Sequence, residues 1–166
     1  MAIHELSALL WRERELLDLL TFKLEEEQLL LTAGKSRWLP HGTREVEQVL
    51  GHLSKAGLAR AVEVAAVAEQ WGLPAESSLG ELASSAPEEA WADVLSSHLN
   101  AMQQQTATIK ELRDSNEQFL RAAVRSTQET MADLKQPAGT YDSHGRTGSQ
   151  GRTSDSTPSR LFDQQL

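Results

Sequence analysis

Cysteine is absent from the 166 residues. Disulfide cross-links and thiolate chemistry are thereby excluded, which fits a reducing compartment, and the cytoplasm is the expected location. Aromatic residues are also scarce, at 5% with a single Tyr. With Leu, Ala, Glu and Gln abundant, that scarcity favours helix over sheet. Positive charge is in deficit: 16 Lys and Arg stand against 24 Asp and Glu, a net charge of −8. Such a chain lacks the basic face needed to neutralise phosphates, so no nucleic-acid partner is expected. Attraction to anionic lipid is not expected on the same ground. No apolar run approaches the roughly 20 residues of a membrane span, so no membrane insertion is expected. The start of the chain, around His4 and Glu5, has neither a basic stretch nor a cleavage-site pattern. A secretory signal is therefore not expected.

The chemistry of enzymes is missing as well. Thr32-Ala33-Gly34-Lys35-Ser36 has the end of a phosphate-binding loop, but Leu29 stands where that loop needs its first Gly. Gly34 is better read as a helix stop. His4, His41, His52, His98 and His144 are scattered without metal-ligand spacing. No Gly-x-Ser-x-Gly turn exists. The carboxylates do not follow the Glu-x-x-His pattern of di-iron bundles. The expectation is a protein without catalysis, metal or cofactor.

Helical periodicity organises what is present. Leu6, Leu9, Leu10, Leu16, Leu17, Leu20, Leu24 and Leu31 recur at steps of three and four, one face of a helix over about 3–33. Arg12, Glu13, Arg14, Glu25 and Glu26 fill much of its other face, and Glu25-Glu26-Glu27 reads as solvated. Pro40 interrupts the following link, where Trp38 and Leu39 are expected to tuck against the bundle. Thr43 is the expected N-cap of a second helix over about 44–71. Gly51 and Gly57 each cost that helix about 1 kcal/mol relative to Ala, so packing must hold it. Ser78 with Glu81 three residues on predicts a capping box and a short helix over about 78–84.

A third long segment, about 87–135, carries Trp91, Val94, Leu95, Leu99, Met102, Ile109, Leu112, Asn116, Phe119, Leu120, Ala123, Val124, Met131 and Leu134 on one stripe. Gln103-Gln104-Gln105-Thr106 is its weak patch, where a kink is allowed. At 1.5 Å rise per residue the first helix spans roughly 45 Å and this one roughly 70 Å. Part of the longer stripe then needs another cover: the second helix, a second copy or a client protein.

From Gln136 onward the composition changes. Nineteen of the 31 residues are Gly, Ser, Thr, Pro or Gln, and three Arg balance three Asp. Such a segment buries too little apolar surface to offset the entropy of ordering. Residues 136–166 are thus read as a flexible polar tail after a bundle of 1–135. The apolar Leu161, Phe162 and Leu166 are either chance or a small docking element. The fold class expected is all-α: an antiparallel helical bundle or coiled coil with a long C-terminal helix and a disordered C-terminal tail.

Leu112-Arg113-Asp114-x-Asn116, then Phe119-Leu120, the apolar heptad to Leu134, and Thr140-Tyr141-Asp142-x-x-Gly145 resemble the FlgN-type flagellar export chaperones. Glu15-Leu16-Leu17 through Glu25-Glu26-Glu27 looks like that family's first helix. The resemblance implies a cytosolic helical chaperone of flagellar type III secretion. It implies hook–filament junction proteins as clients, kept from early assembly and delivered to the export gate. The implied client-binding residues are Leu112, Asn116, Phe119, Leu120, Ala123, Val124, Met131 and Leu134. Tyr141 and Gly145 match the element that docks on the gate protein FlhA. Plain alternatives stand beside these roles. Asn116 fits a register-setting polar residue of a coiled coil, the apolar residues fit intramolecular core, and Tyr141 fits an ordinary loop. The alternative function is a self-associating coiled-coil adaptor; a weak homodimer is compatible with the chaperone reading.

Overall fold

The computed structural model describes residues 2–135. The elements are α1 (Ala2–Thr32), a 3-10 turn (Ser36–Trp38), α2 (Leu39–Gln70), α3 (Leu79–Ser84) and α4 (Glu89–Lys135), with no strand among the described residues. The chain forms two units, Met1–Ser126 and Thr127–Leu166. In the second unit the described residues are the last turns of α4. The expected tail, with Tyr141, Gly145, Leu161 and Phe162, lies outside the described residues.

Within the first unit, cross-helix pairs give the direction of each helix. Glu13, Lys23 and Glu27 of α1 meet Arg60, Glu45 and Thr43 of α2, so these two helices run antiparallel. Arg14 and Gln28 of α1 meet His98 and Ser115 of α4, so α4 runs parallel to α1. The arrangement is up, down, up. The turn between α1 and α2 is set by Gly34, whose φ of 65° is open to glycine but strained for other residues. Lys35 N–H donates to Leu30 O and Gly34 N–H to Leu31 O, closing the helix end. Gly42 allows the two helices to approach, since a Cβ there would lie 3.3 Å from Leu30 Cδ1.

The leucine face of α1 makes the core. Leu6 and Leu10 are fully buried with Val67 of α2, Leu82 of α3 and Leu95 of α4. A second cluster, Leu20 and Leu24 with Val49, is flanked by Ile109 and Leu112 of α4. Each such side chain contributes about 1.5–3 kcal/mol by leaving water. The capping box of α3 forms as expected: Ser78 N–H donates to Glu81 Oε2 and Glu81 N–H to Ser78 Oγ. The Ser78 backbone N–H first, and the Ser78 side chain second, hold the Glu81 carboxyl below the usual range.

Expectations for the start of the second helix, for Thr43 and for Trp38 are corrected, and Glu13 and the Gln103–Thr106 patch gain defined partners. The second helix begins at Leu39, not near Arg44, because Pro40 falls in the first turn, where no intrahelical N–H is needed. Thr43 is therefore inside α2, and its hydroxyl donates to Glu27 Oε1 instead of capping. Trp38 does not tuck inward; it is 46% exposed and lies under the Arg37 guanidinium. Glu13 is not on a solvated face: it is buried and accepts from Arg60 Nε at 2.7 Å. The Gln103–Thr106 patch does not break α4, because Gln105 Nε2 donates across to the Arg14 carbonyl and the Asp18 carboxylate.

His98 is buried in the α1–α4 seam, edge-on to Trp11, with Nδ1 3.4 Å from Arg14 Nη1. Burial first, and the Arg14 charge second, hold its pKa below the ordinary imidazole value. Above about pH 6.5 the imidazole is neutral in both folded and unfolded chains and makes no difference to stability. Below it the unfolded chain takes up a proton that the native seam resists, so stability falls as pH falls. Urea midpoints measured on either side of about pH 6.5 should show this loss, and His98→Gln should show less of it. Replacing the fully buried Leu95 by Ala should lower the unfolding free energy by about 2–5 kcal/mol. The half-exposed Leu50→Ala serves as the mild control in the same denaturation series.

Candidate functional site

The sequence-derived residues on α4 separate into a packed group and an exposed group. Leu112 is half-buried against Leu20, Leu24 and Val49. Asn116 is buried, at 5% exposure, and its Nδ2 donates to the Leu24 carbonyl at 2.9 Å and to Glu27 Oε2 at 3.3 Å. These two residues therefore belong to the α1–α4 seam. Phe119, Leu120 and Val124 are 42%, 45% and 50% exposed, and Ala123 is exposed with them. In the second unit Met131 and Leu134 are exposed as well.

The change from packed to exposed occurs within one turn, after Asn116. Leu120 is the last α4 residue on a groove of about 210 Å³, which Leu31 of α1 and Leu39 and Thr43 of α2 also line. Glu27, Arg113, Asn116 and Glu117 supply its polar atoms. Asn116 uses both donated bonds on α1, but its Oδ1 is buried and accepts none. An amide oxygen left in that state costs about 1–3 kcal/mol unless something donates to it. The groove thus offers apolar walls beside the side chains of Glu27, Arg113, Asn116 and Glu117.

Exposure alone does not define a site, because Phe22, Leu29, Leu58 and Val62 are exposed on α1 and α2 too. The α4 group differs in that its Leu120 lines the groove beside Asn116. The helix is anchored just before this group, where Gln28 Nε2 donates to Ser115 Oγ at 3.0 Å, and Arg121 pairs with Glu117 within α4 itself. The contribution of Glu27, Leu31, Leu39 and Thr43 was not visible in the sequence. Glu27 sits in an acidic run that reads as solvated, and its partner Asn116 is 89 residues away.

Among the described residues no three His, Asp or Glu side chains are placed to hold a metal ion. No helix among them is long and apolar enough to cross a membrane. What the surface can do is pack against another amphipathic segment while its root stays fixed in the bundle.

The family model described as FlgN protein matches residues 1–149. Neither a curated protein nor a solved structure matches. The family match takes in every element from α1 to α4, and it places this chain in the FlgN family of flagellar export chaperones.

Proposed function

We propose that the chain binds hook–filament junction proteins in the cytoplasm, keeps them from premature assembly and delivers them to the export gate. The observation that carries this reading is the abrupt exposure of α4 after Asn116, beside a groove walled by Leu31, Leu39 and Leu120. The client side would be an amphipathic helix. Its apolar face covers Phe119, Leu120, Ala123 and Val124. Leu112 and Asn116 act as the root of that surface, fixing its angle through α1. In the second unit we assign Met131 and Leu134 the same client-binding role. Tyr141 and Gly145, outside the described residues, are assigned to docking on FlhA through their match to the family element.

Calorimetric titration with the junction proteins of the same organism tests the reading. One-to-one binding is expected for the native chain. Burying each of Phe119 and Leu120 is worth about 1.5–3 kcal/mol, so F119D with L120D should weaken binding at least about a hundredfold. Both side chains are exposed in the free chain, so helicity by circular dichroism should be retained. If the helices melt instead, the pair is core and the assigned surface is wrong. Absence of heat with any junction protein, joined to a tight homodimer in sedimentation, would favour the self-associating adaptor.

Asn116→Ala should act twice. Losing the bonds to Leu24 and Glu27 should lower stability by about 1–2 kcal/mol in urea denaturation, and client affinity should drop as well. Tyr141→Ala separates the two partners: junction-protein affinity should be unchanged, whereas pull-down of the FlhA cytoplasmic domain should be lost.

A further inference from the structure

The bundle holds two apolar clusters of unequal size. The larger, at the α3 end, has eleven buried residues among those described, including Leu6, Leu10, Val67, Leu82 and Leu95. The smaller, toward the α1–α2 turn, has three: Leu20, Leu24 and Val49. Between the clusters no apolar residue is buried. Among the described residues α1 offers none between Leu10 and Leu20, α2 none between Val49 and Val64, and α4 none after Leu95.

A polar layer occupies that interval. Glu13 is buried on Arg60, and Gln105 donates to the Arg14 carbonyl and the Asp18 carboxylate. Two buried atoms of the layer, Arg14 Nε and Gln105 Oε1, have no hydrogen-bond partner among the described residues. Such atoms weaken the closed layer, and opening it to water relieves them. Two of the three long helices are also weak at this level. In α2 a Cβ on Gly51 or Gly57 would meet nothing within 4 Å, so no close contact requires glycine there, and both positions lose helix stability relative to Ala. In α4 the hydroxyls of Thr106 and Thr108 donate to the Met102 and Gln104 carbonyls, bonds that compete with the helix ladder. Packing is loose as well. A groove of about 290 Å³ separates Leu9 and Leu16 of α1 from Ala56 and Ala59 of α2.

We infer that this polar layer bounds an opening unit: the half of the bundle with Leu20, Leu24 and Val49, and with Ile109 and Leu112 packed on them, opens before the rest unfolds. The opening gives up three buried apolar residues and leaves the cluster of eleven intact. This division does not depend on what the chain binds. Its use rests on the client reading above. Leu112 and Asn116 root the client face in the opening half, so a client seated on Phe119 and Leu120 holds that half closed.

Amide hydrogen exchange of the full chain, followed by NMR at urea concentrations below the unfolding transition, reads each opening separately. The amides of Leu24 and Val49 should exchange at least about tenfold faster than those of Val67 and Leu95, the worth of one buried side chain. Their exchange should also depend less on urea, because less surface is exposed. L82A, in the larger cluster, should speed exchange at Val67 and Leu95 at least about thirtyfold and leave Leu24 and Val49 unchanged. Should that variant fail to fold, the milder V67A serves the same comparison, read at Leu95. With a junction protein at about a hundred times its dissociation constant, exchange at Leu24 and Val49 should slow about a hundredfold. One rate and one urea slope for all four amides, or an equal response of both groups to L82A, overturns the inference. A client that binds by calorimetry yet leaves Leu24 and Val49 unprotected overturns the client-held closure. Absence of binding strikes the client reading alone, and the free chain then decides the division.

Discussion

The structure of the first unit depends on α1 burying one leucine face against two helices at once. Leu6 and Leu10 are shared by α2, α3 and α4, and Leu20 and Leu24 by α2 and α4. Neither α2 nor the early part of α4 has another apolar partner of comparable extent. The Gly-tolerant α2 tolerates Gly51 and Gly57 because burial against α1, and not intrinsic propensity, holds it in place. Where α1 ends, at Thr32, the supply of apolar surface ends with it, and α4 passes from packed to exposed within a few residues.

Apolar contact sets the energy of this bundle, and polar contact sets its register. Leucines slide past one another at little cost, but Glu13 on Arg60, Gln105 on Asp18 and Asn116 on the Leu24 carbonyl each fit one alignment. Removing the partner of buried Glu13 or Asn116 leaves a polar group unmatched inside the bundle, a penalty that a slipped register would incur at both places together. The parallel pairing of α1 and α4 is fixed in this way along its length, from Arg14 and His98 to Gln28 and Ser115.

Much of the fold was legible because it is local. The three- and four-residue steps of leucine, the Gly34 stop and the Ser78–Glu81 box each depend on neighbours in sequence, and each appears as expected. What was not legible depends on partners far along the chain. Glu13 looks like any helix-surface acid until Arg60 is placed beside it, and Pro40 looks like a breaker until the helix start is set back to Leu39. The candidate site was legible in the same partial sense. Periodicity and family likeness marked the α4 residues, but the division between the seam residues Leu112 and Asn116 and the exposed Phe119, Leu120 and Val124 needed the end of α1 in three dimensions.

The exposure of α4 from Arg121 to Ser126 also has a kinetic side. Helical hydrogen bonds open to water on most sides are protected by little beyond the helix itself, whose intrinsic stability in short stretches is marginal. Amide protection should therefore fall along α4, from the level of the global fold at Leu95 to that of local fraying past Leu120. A partner that lays its own helix there removes water from those bonds and ties the stretch to the cooperative core. Capture would then convert a locally opening segment into part of the global unfolding unit. Release would return it, so that the bound and free chains differ in cooperativity even where their backbones coincide.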